Sequence, residues 1–387
     1  MKRTVLDDDH RDFAESFGRF LDAEVVPHDE EWQQAGRVPR EVLSRLGALG
    51  YLGLGVPEQY GGAGNDDFRF NAVLNEQATL RGLNSFSLCY TMQNDVALPY
   101  FVELCNEEQA QRWLPGIAAG DLVLGIAMSE PGTGSDLGGL RTRATREGDV
   151  YRVNGAKTFI TNGLNADLII TAVRTGETGT HRDISLVVVE NGTQGYGRGR
   201  KLDKLGLRAQ DTVELFFDDA RVPVDNLLGK EGEGFSYLTS NLPAERLSIA
   251  IGNVSSARGA LERTLTYVKG REAFGRAVGT FQNSRFVLAT CKTEVEVTQA
   301  FVDACLAAHV EGELTADEAA MAKLYASEML GRVVDACLQL HGGYGFTHDY
   351  PIARDYADAR IARIYGGTSE IMREIIGRGL GLGEKRA

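Results

Sequence analysis

The chain lacks any uncharged apolar run approaching the ~20 residues that a membrane span requires, and no spanning segment is expected. Its first ten residues, Met1 to His10, turn acidic before an apolar stretch develops, so a secretory leader is not expected either. A basic excess is also missing: 41 Lys and Arg stand against 54 Asp and Glu, for a net charge of -13. Such a surface argues against nucleic acid as a partner, because phosphate backbones demand concentrated positive charge. The 5 cysteines, Cys89, Cys105, Cys291, Cys305 and Cys337, are odd in number and scattered, without the close pairing of a zinc or redox motif. They read as reduced core thiols of a cytoplasmic protein. The 6 histidines show no paired ligand spacing, and no metal site is expected.

What is present is the balance of an ordinary globular protein, with 387 residues, 43% hydrophobic and 25% charged, enough for two or three domains. Up to about Gly120 the pattern is helical. Phe13, Phe17, Phe20 and Leu21 recur at three- and four-residue steps, a glycine-rich loop at Gly61-Gly62-Ala63-Gly64 precedes a run through Leu74 and Leu80, and Asn106-Glu107-Glu108-Gln109 followed by Trp113-Leu114-Pro115 reads as a short helix stopped near its proline. Thereafter the period changes. Val150 to Val153, Asn154-Gly155 and Lys157 to Thr161 have the composition of a β-hairpin turned at Asn-Gly, and Leu168 to Val173, Ile184 to Val189 and Thr212 to Phe217 add short strands. From Phe235 helical periodicity returns, with Leu247, Ile251, Val254, Ala257, Leu261, Leu265 and Val268 on one stripe and a second long helix over Ala316 to Leu340.

Three separated motifs carry chemistry. Ile126-Ala127-Met128-Ser129-Glu130-Pro131-Gly132-Thr133-Gly134-Ser135-Asp136 suits a backbone cradle, because Gly132 and Gly134 allow close approach to a ligand while Ser129 and Ser135 offer hydroxyls. Gln339-Leu340-His341-Gly342-Gly343-Tyr344-Gly345-Phe346 and Ile364-Tyr365-Gly366-Gly367-Thr368-Ser369-Glu370-Ile371 follow near the C-terminus. In this order the three resemble the signatures of the acyl-CoA dehydrogenase family, and the resemblance runs nearly end to end.

The resemblance implies an α+β fold: an N-terminal α-helical domain over 1–121, a middle β domain of barrel or sandwich form over 122–234, and a C-terminal four-helix bundle over 235–387. It implies FAD, with Ile126, Met128 and Ser129 packed on the flavin and Ser135 also touching the acyl-CoA. Phe159 stands where many members stack a tryptophan on the ring, and Thr161 where a threonine bonds to it; phenylalanine keeps a stacking face. Arg271, Phe274 and Gln282 match the segment that reaches the FAD of a neighbouring subunit, a role suited to a permanently charged guanidinium. Gln339 and Gly343 are placed on the FAD of the same assembly, and Thr368 and Glu370 near the flavin. A homotetramer, built as a dimer of dimers, and an electron-transfer flavoprotein as electron acceptor complete what the family implies.

Family chemistry removes an α-proton from an acyl-CoA while the β-hydrogen leaves as hydride to the flavin, giving a trans-2-enoyl-CoA, so a carboxylate must reach the α-carbon. Many members carry that glutamate where this chain has Gly366. Glu370 follows a helix-capping Thr368, and Glu374 is spaced to pair with Arg378 on a solvated face. Glu245, in Asn241-Leu242-Pro243-Ala244-Glu245-Arg246-Leu247, matches the helix from which the long-chain and isovaleryl-CoA branches supply their base. Glu245 is therefore expected as the base, with the Gly366 N–H donating to the thioester oxygen. Arg246 is expected either to orient the base or to pair with a neighbouring acid. Ser236, Gly366 and Gly367 align with substrate-contacting positions. Alternatives are a dehydrogenase of carrier-protein-bound acyl groups, a flavin monooxygenase of the same fold, and a flavin-binding paralogue without turnover.

Overall fold

The computed structural model describes residues 3–382; Met1 and Lys2 of the acidic N-terminal stretch lie outside the described residues. Helices come first: α1 (Asp8–Phe20), α2 (Asp29–Ala35), α3 (Arg40–Ala48), α4 (Phe68–Leu80), α5 (Asn84–Thr91), α6 (Leu98–Leu104) and α7 (Glu107–Ala118). Their starts are chemically marked. The Asp7 side chain accepts from the His10 backbone at the head of α1, and Asn106 with Gln109 forms a reciprocal capping box on α7. The short helix expected to stop near Pro115 ends one turn past it, at Ala118. Burial of Trp113, Leu114 and Ile117 on both sides of the proline holds the turn that its missing N–H weakens. A π-helical turn over Met92–Ala97 separates α5 from α6.

The middle of the chain forms β1 (Leu124–Ala127), β2 (Arg143–Glu147), β3 (Val150–Thr161), β4 (Leu168–Arg174), β5 (Ile184–Glu190), β6 (Tyr196–Lys201), β7 (Thr212–Pro223) and β8 (Leu227–Leu228). They share one sheet in the order β6-β7-β3-β2-β4-β5-β8, with β1 parallel to β4. Strands β4 and β5 are apolar at nearly every position because both their faces are covered. Ile169, Val173, Val187 and Val189 join the core inside the sheet, whereas the alternating Leu168, Ile170, Ala172, Ile184, Leu186 and Val188 pack with Trp113, Leu114 and Ile117 of α7.

Asn154-Gly155 is not a hairpin turn. The turn lies at Gly148-Asp149, between β2 and β3, with Glu147 opposite Val150. Asn154 and Gly155 sit inside β3, at a register shift against β7. There the Asn154 amide exchanges two hydrogen bonds with Asp219, and Gly155 at φ +148 lies where a Cβ would stand 2.6 Å from Thr142 Oγ1. The dipeptide that favours a turn here makes a β-bulge.

After the sheet come α8 (Gly234–Gly270), a short hairpin of β9 (Glu272–Ala273) and β10 (Arg276–Ala277), α9 (Gln282–Val310), α10 (Ala316–His341), α11 (Pro351–Ala359) and α12 (Ser369–Gly379). The α8 stripe packs as its period requires: Leu247, Ile251, Val254, Ala257, Leu261 and Val268 are buried among residues of α9 and α10, with Leu265 at the edge. One turn into α8, Leu238 instead joins the core shared by α7 and the sheet. The start of α8 therefore bridges the helical and sheet layers, and Glu245 lies on that bridge.

Candidate active site

Glu245 is 5% exposed, and its Oε1 accepts a hydrogen bond from the Tyr100 hydroxyl of α6 at 3.1 Å. Burial pushes its carboxyl up to about 7, while the Tyr100 hydrogen bond and the Arg246 charge pull the other way. Arg246 is also buried, makes no ion pair among the described residues, and has an Nε without a hydrogen-bond partner. The guanidinium turns toward the C-terminal glycine loop: its Nη2 is 3.9 Å from where a Cβ on Gly367 would stand.

Gly366 and Gly367 adopt φ of +61 and +93, a region that side chains disfavour. A Cβ on Gly366 would lie 2.3 Å from Cδ1 of Ile249, the residue one turn beyond Glu245. Thus the turn of α8 that carries the glutamate also occupies the space a side chain at 366 would need. Behind the loop, fully buried Lys323 of α10 donates from Nζ to the Gly367 carbonyl at 2.6 Å, and burial, with Arg246 adding, lowers its pKa to about 8. Thr368 caps α12 by accepting from the Ile371 backbone, Glu370 is exposed, and Glu374 pairs with Arg378 at 2.6 Å on the solvated face its spacing predicted. Ser248, one turn beyond Glu245, donates from Oγ at 2.5 Å to the buried Asp95 of the π turn, which also accepts from Asn71 Nδ2 at 2.8 Å and whose pKa burial raises to about 6.

The glycine-rich run descends from β1, where Ile126 is buried and Met128 and Ser129 are half-buried. Beneath it Lys157 Nζ bonds Glu130 Oε1 at 2.9 Å and the Met128 carbonyl at 3.0 Å, and Glu130 also accepts from the backbones of Arg141 and Thr142. The Thr158 N–H donates to the Ser129 carbonyl, tying β3 to the run. Between Lys157 and Ile160 the register of β3 shifts, and Phe159 takes φ +61 with 69% of its surface exposed. This second bulge turns an aromatic face outward that a regular strand would bury. Thr161 ends β3, half-buried. No atom lies within 4 Å of a Cβ built on Gly132 or Gly134, so the backbone there is open to a ligand. Ser135 and Ser236 are both exposed, and Ser236 follows Phe235, which stacks on His181 with ring centroids 4.0 Å apart.

A third feature is a cavity of about 500 Å³ whose lining includes Tyr267, Arg271, Gln339, Gly342, Gly343 and Tyr344. Arg271 lies over the Tyr344 ring at 5.5 Å. Arg271, Gln339 and Gly343 are thus brought together, whereas Phe274, 96% exposed beside the β9–β10 turn, and Gln282, the exposed first residue of α9, lie outside that lining.

Sequence reasoning missed Tyr100, Lys157, Ile249 and Lys323. Tyr100 and Ile249 carry no local signal, since either reads as core. Lys323 does carry one: it shares a helical face with buried Ala319, Ala326 and Ser327, where a lysine without a carbonyl or carboxylate partner would be costly.

Comparison with known proteins identifies the class. Models described as the N-terminal, middle and C-terminal domains of acyl-CoA dehydrogenase match residues 7–121, 125–220 and 232–381. The chain belongs to the acyl-CoA dehydrogenase family of oxidoreductases. It is similar to the mitochondrial long-chain specific acyl-CoA dehydrogenase of Sus scrofa, 44% identical over 97% of this chain and 87% of that protein. Among solved structures it is similar to an acyl-CoA dehydrogenase from Geobacillus kaustophilus, with TM-score 0.95, 44% identity, and 98% and 100% of the two chains covered. It is also similar to an acyl-CoA dehydrogenase complexed with FAD from Bacillus anthracis, with TM-score 0.90, 30% identity, and 97% and 68% covered.

Proposed function

We propose that the chain is an FAD-dependent acyl-CoA dehydrogenase acting on long-chain acyl-CoA, with Glu245 as its general base. The observation carrying this reading is the turn of α8 from Glu245 to Ile249: it holds a buried carboxyl, while Arg246 and Ile249 on the same turn reach the Gly366-Gly367 loop, with Ile249 in the space a side chain at 366 would need. A carboxyl pushed up to about 7 is matched to a weakly acidic C–H, as a general base near the working pH should be. The Gly366 N–H bonds the thioester oxygen and so acidifies the α-carbon. Long-chain preference is supported by the 44% identity to the Sus scrofa protein.

The residues fit FAD. Phe159 offers a stacking face, the Gly132–Gly134 backbone approaches the ring, and the cavity with Arg271, Gln339 and Gly343 holds the pyrophosphate and adenosine end. Ile126, Met128, Ser129, Thr161, Thr368 and Glu370 line the flavin end; Ser135 and Ser236 hold the acyl-CoA. When bound, FAD supplies the acceptor for the β-hydrogen and its electron pair, and an electron-transfer flavoprotein draws those electrons away. Phe274 and Gln282 reach the FAD of a second copy within a homotetramer, a dimer of dimers, which accords with their exposure on the single chain. Domain divisions after 121 and 234 and a cytoplasmic location belong to the same reading. Among the described residues no helix is long and apolar enough to cross a membrane.

The test is Glu245→Gln, mixed anaerobically with palmitoyl-CoA. The variant is expected to stay yellow and to lose flavin bleaching by about 10²–10⁴-fold in rate, the usual worth of a positioned base. Bleaching at the parent rate would overturn the assignment.

A further inference from the structure

We propose that Tyr100 is the positioning residue of the base: its hydroxyl holds the Glu245 carboxylate in place and sets the pH above which that carboxylate can take a proton. This rests on the reading of Glu245 as the base.

The two residues are 145 positions apart in the sequence, on α6 and α8, and both are buried. Among the described residues, the Tyr100 hydroxyl at 3.1 Å is the carboxylate's one hydrogen-bond donor. The other charged groups near the pair act differently. Arg246, on the same helix, contributes charge but no hydrogen bond, and its guanidinium faces Gly367. From α10, Lys323 is engaged by the Gly367 carbonyl. Asp95, from the π turn, is engaged by Ser248 and Asn71, and Glu103, one turn beyond Tyr100 on α6, is exposed. Tyr100 therefore controls the hydrogen bonding of Glu245.

A phenol suits this task better than a lysine would. It stabilises the carboxylate without a full opposing charge, which would hold the acid too low to serve as a base near neutrality. A hydroxyl can also accept once Glu245 has been protonated, so both protonation states keep a partner. The π turn over Met92–Ala97 fixes which side of α6 faces Glu245. It winds one extra residue into the helix, and each residue rotates the face by about 100°. With regular winding Tyr100 would point elsewhere.

The experiment is Tyr100→Phe in the FAD-loaded protein, with anaerobic bleaching by palmitoyl-CoA followed across pH. The acid limb of the rate profile should move up by about one unit, because a hydrogen bond to a charged group is worth roughly that much, and the rate should recover at alkaline pH. The same upward shift is expected without substrate, in the infrared carbonyl band of the protonated acid that Glu245→Gln removes. Incorporating 3-fluorotyrosine at position 100 strengthens the donor while keeping its shape, and should move both midpoints down. Unmoved midpoints, or a loss of rate uniform across pH, would overturn the role of Tyr100. Failure of the base reading looks different, since there Glu245→Gln itself would still bleach.

Discussion

Glu130 and Glu245 are both buried, at 8% and 5% exposure, and the protein shifts them in opposite directions. Burial raises the pKa of each. At Glu130, under the glycine-rich run, that rise is outweighed by Lys157 at 2.9 Å and the backbone N–H groups of Thr142 and Arg141 at 2.9 and 2.7 Å, so its carboxyl stays below the ordinary value. At Glu245 one phenol and a non-bonding guanidinium oppose burial, and the carboxyl rises to about 7. Burial alone does not make a base; the number and charge of the donors decide whether a buried acid is a fixed anion or a group that can take a proton. The first arrangement fixes the glycine-rich run in place. The second leaves a carboxyl of the kind the proposed base requires.

The largest effect should come from breaking the Glu130 side of this comparison. Lys157→Met leaves a buried carboxylate beside apolar atoms and removes the bond to the Met128 carbonyl, so stability in denaturant titration should fall by about 3–5 kcal/mol. The glycine-rich run should loosen with it, seen as faster FAD loss on gel filtration. A drop below about 1 kcal/mol, no more than an exposed pair contributes, would mean that Lys157 does not hold Glu130 down, and the contrast would fail.

A smaller effect follows from pH. Glu245 has a folded pKa raised from 4.5 to about 7, so its contribution to stability is fully present below 4.5 and is lost as pH rises through about 7. Glu130, with its pKa depressed, behaves oppositely: its contribution is present above its ordinary value and is lost as pH falls. Glutamine at 245 does not titrate. The stability of Glu245→Gln relative to the parent should therefore climb between pH 4.5 and 7 and flatten above, gaining about 3 kcal/mol in all. Comparing the two proteins at each pH cancels Asp95, which is raised in both. A flat difference would show that Glu245 is not held as a high-pKa acid.

The helix stripes and most strands were legible because one buried face imposes a period of 3.6 on a helix, as Leu247 to Val268 illustrates, and burial of both faces makes a short continuous apolar run of a strand, as in Ile184 to Val189. Glu245 was singled out for another reason: the motif around it and the gap at Gly366 pointed to it together, and the structure buries it against Tyr100. Three things were hidden. Asn154-Gly155 has turn chemistry but serves a bulge, because pairing of β3 with β7 on both sides overrides the local preference. Pro115 marks the end of α7 only to within a turn, because buried neighbours carry the helix on to Ala118. Tyr100 and Ile249 act through contacts with residues far along the chain, Glu245 and Gly366, and no local pattern encodes such a meeting; Lys323 shows only as a lysine on a buried helical face, with nothing local to name the Gly367 carbonyl as its partner.

The smallest effect should come from the exposed cavity, where the comparison predicts weak energetics. Gln339 is exposed on the last turn of α10, and a neutral amide there can offer FAD a hydrogen bond in competition with water. Such a bond is worth about 0.5–1.5 kcal/mol, so Gln339→Ala should weaken FAD binding by roughly tenfold or less and leave the bleaching rate of the saturated protein unchanged. Titrating apoprotein with FAD at several protein concentrations checks this, because a concentration-dependent apparent affinity would separate assembly of copies from the loss of one hydrogen bond. A loss beyond about a hundredfold would exceed what one exposed neutral bond supplies. It would mean that this cavity is desolvated and energetically central, like the buried surroundings of Glu245, and the division between the two regions would have to be redrawn.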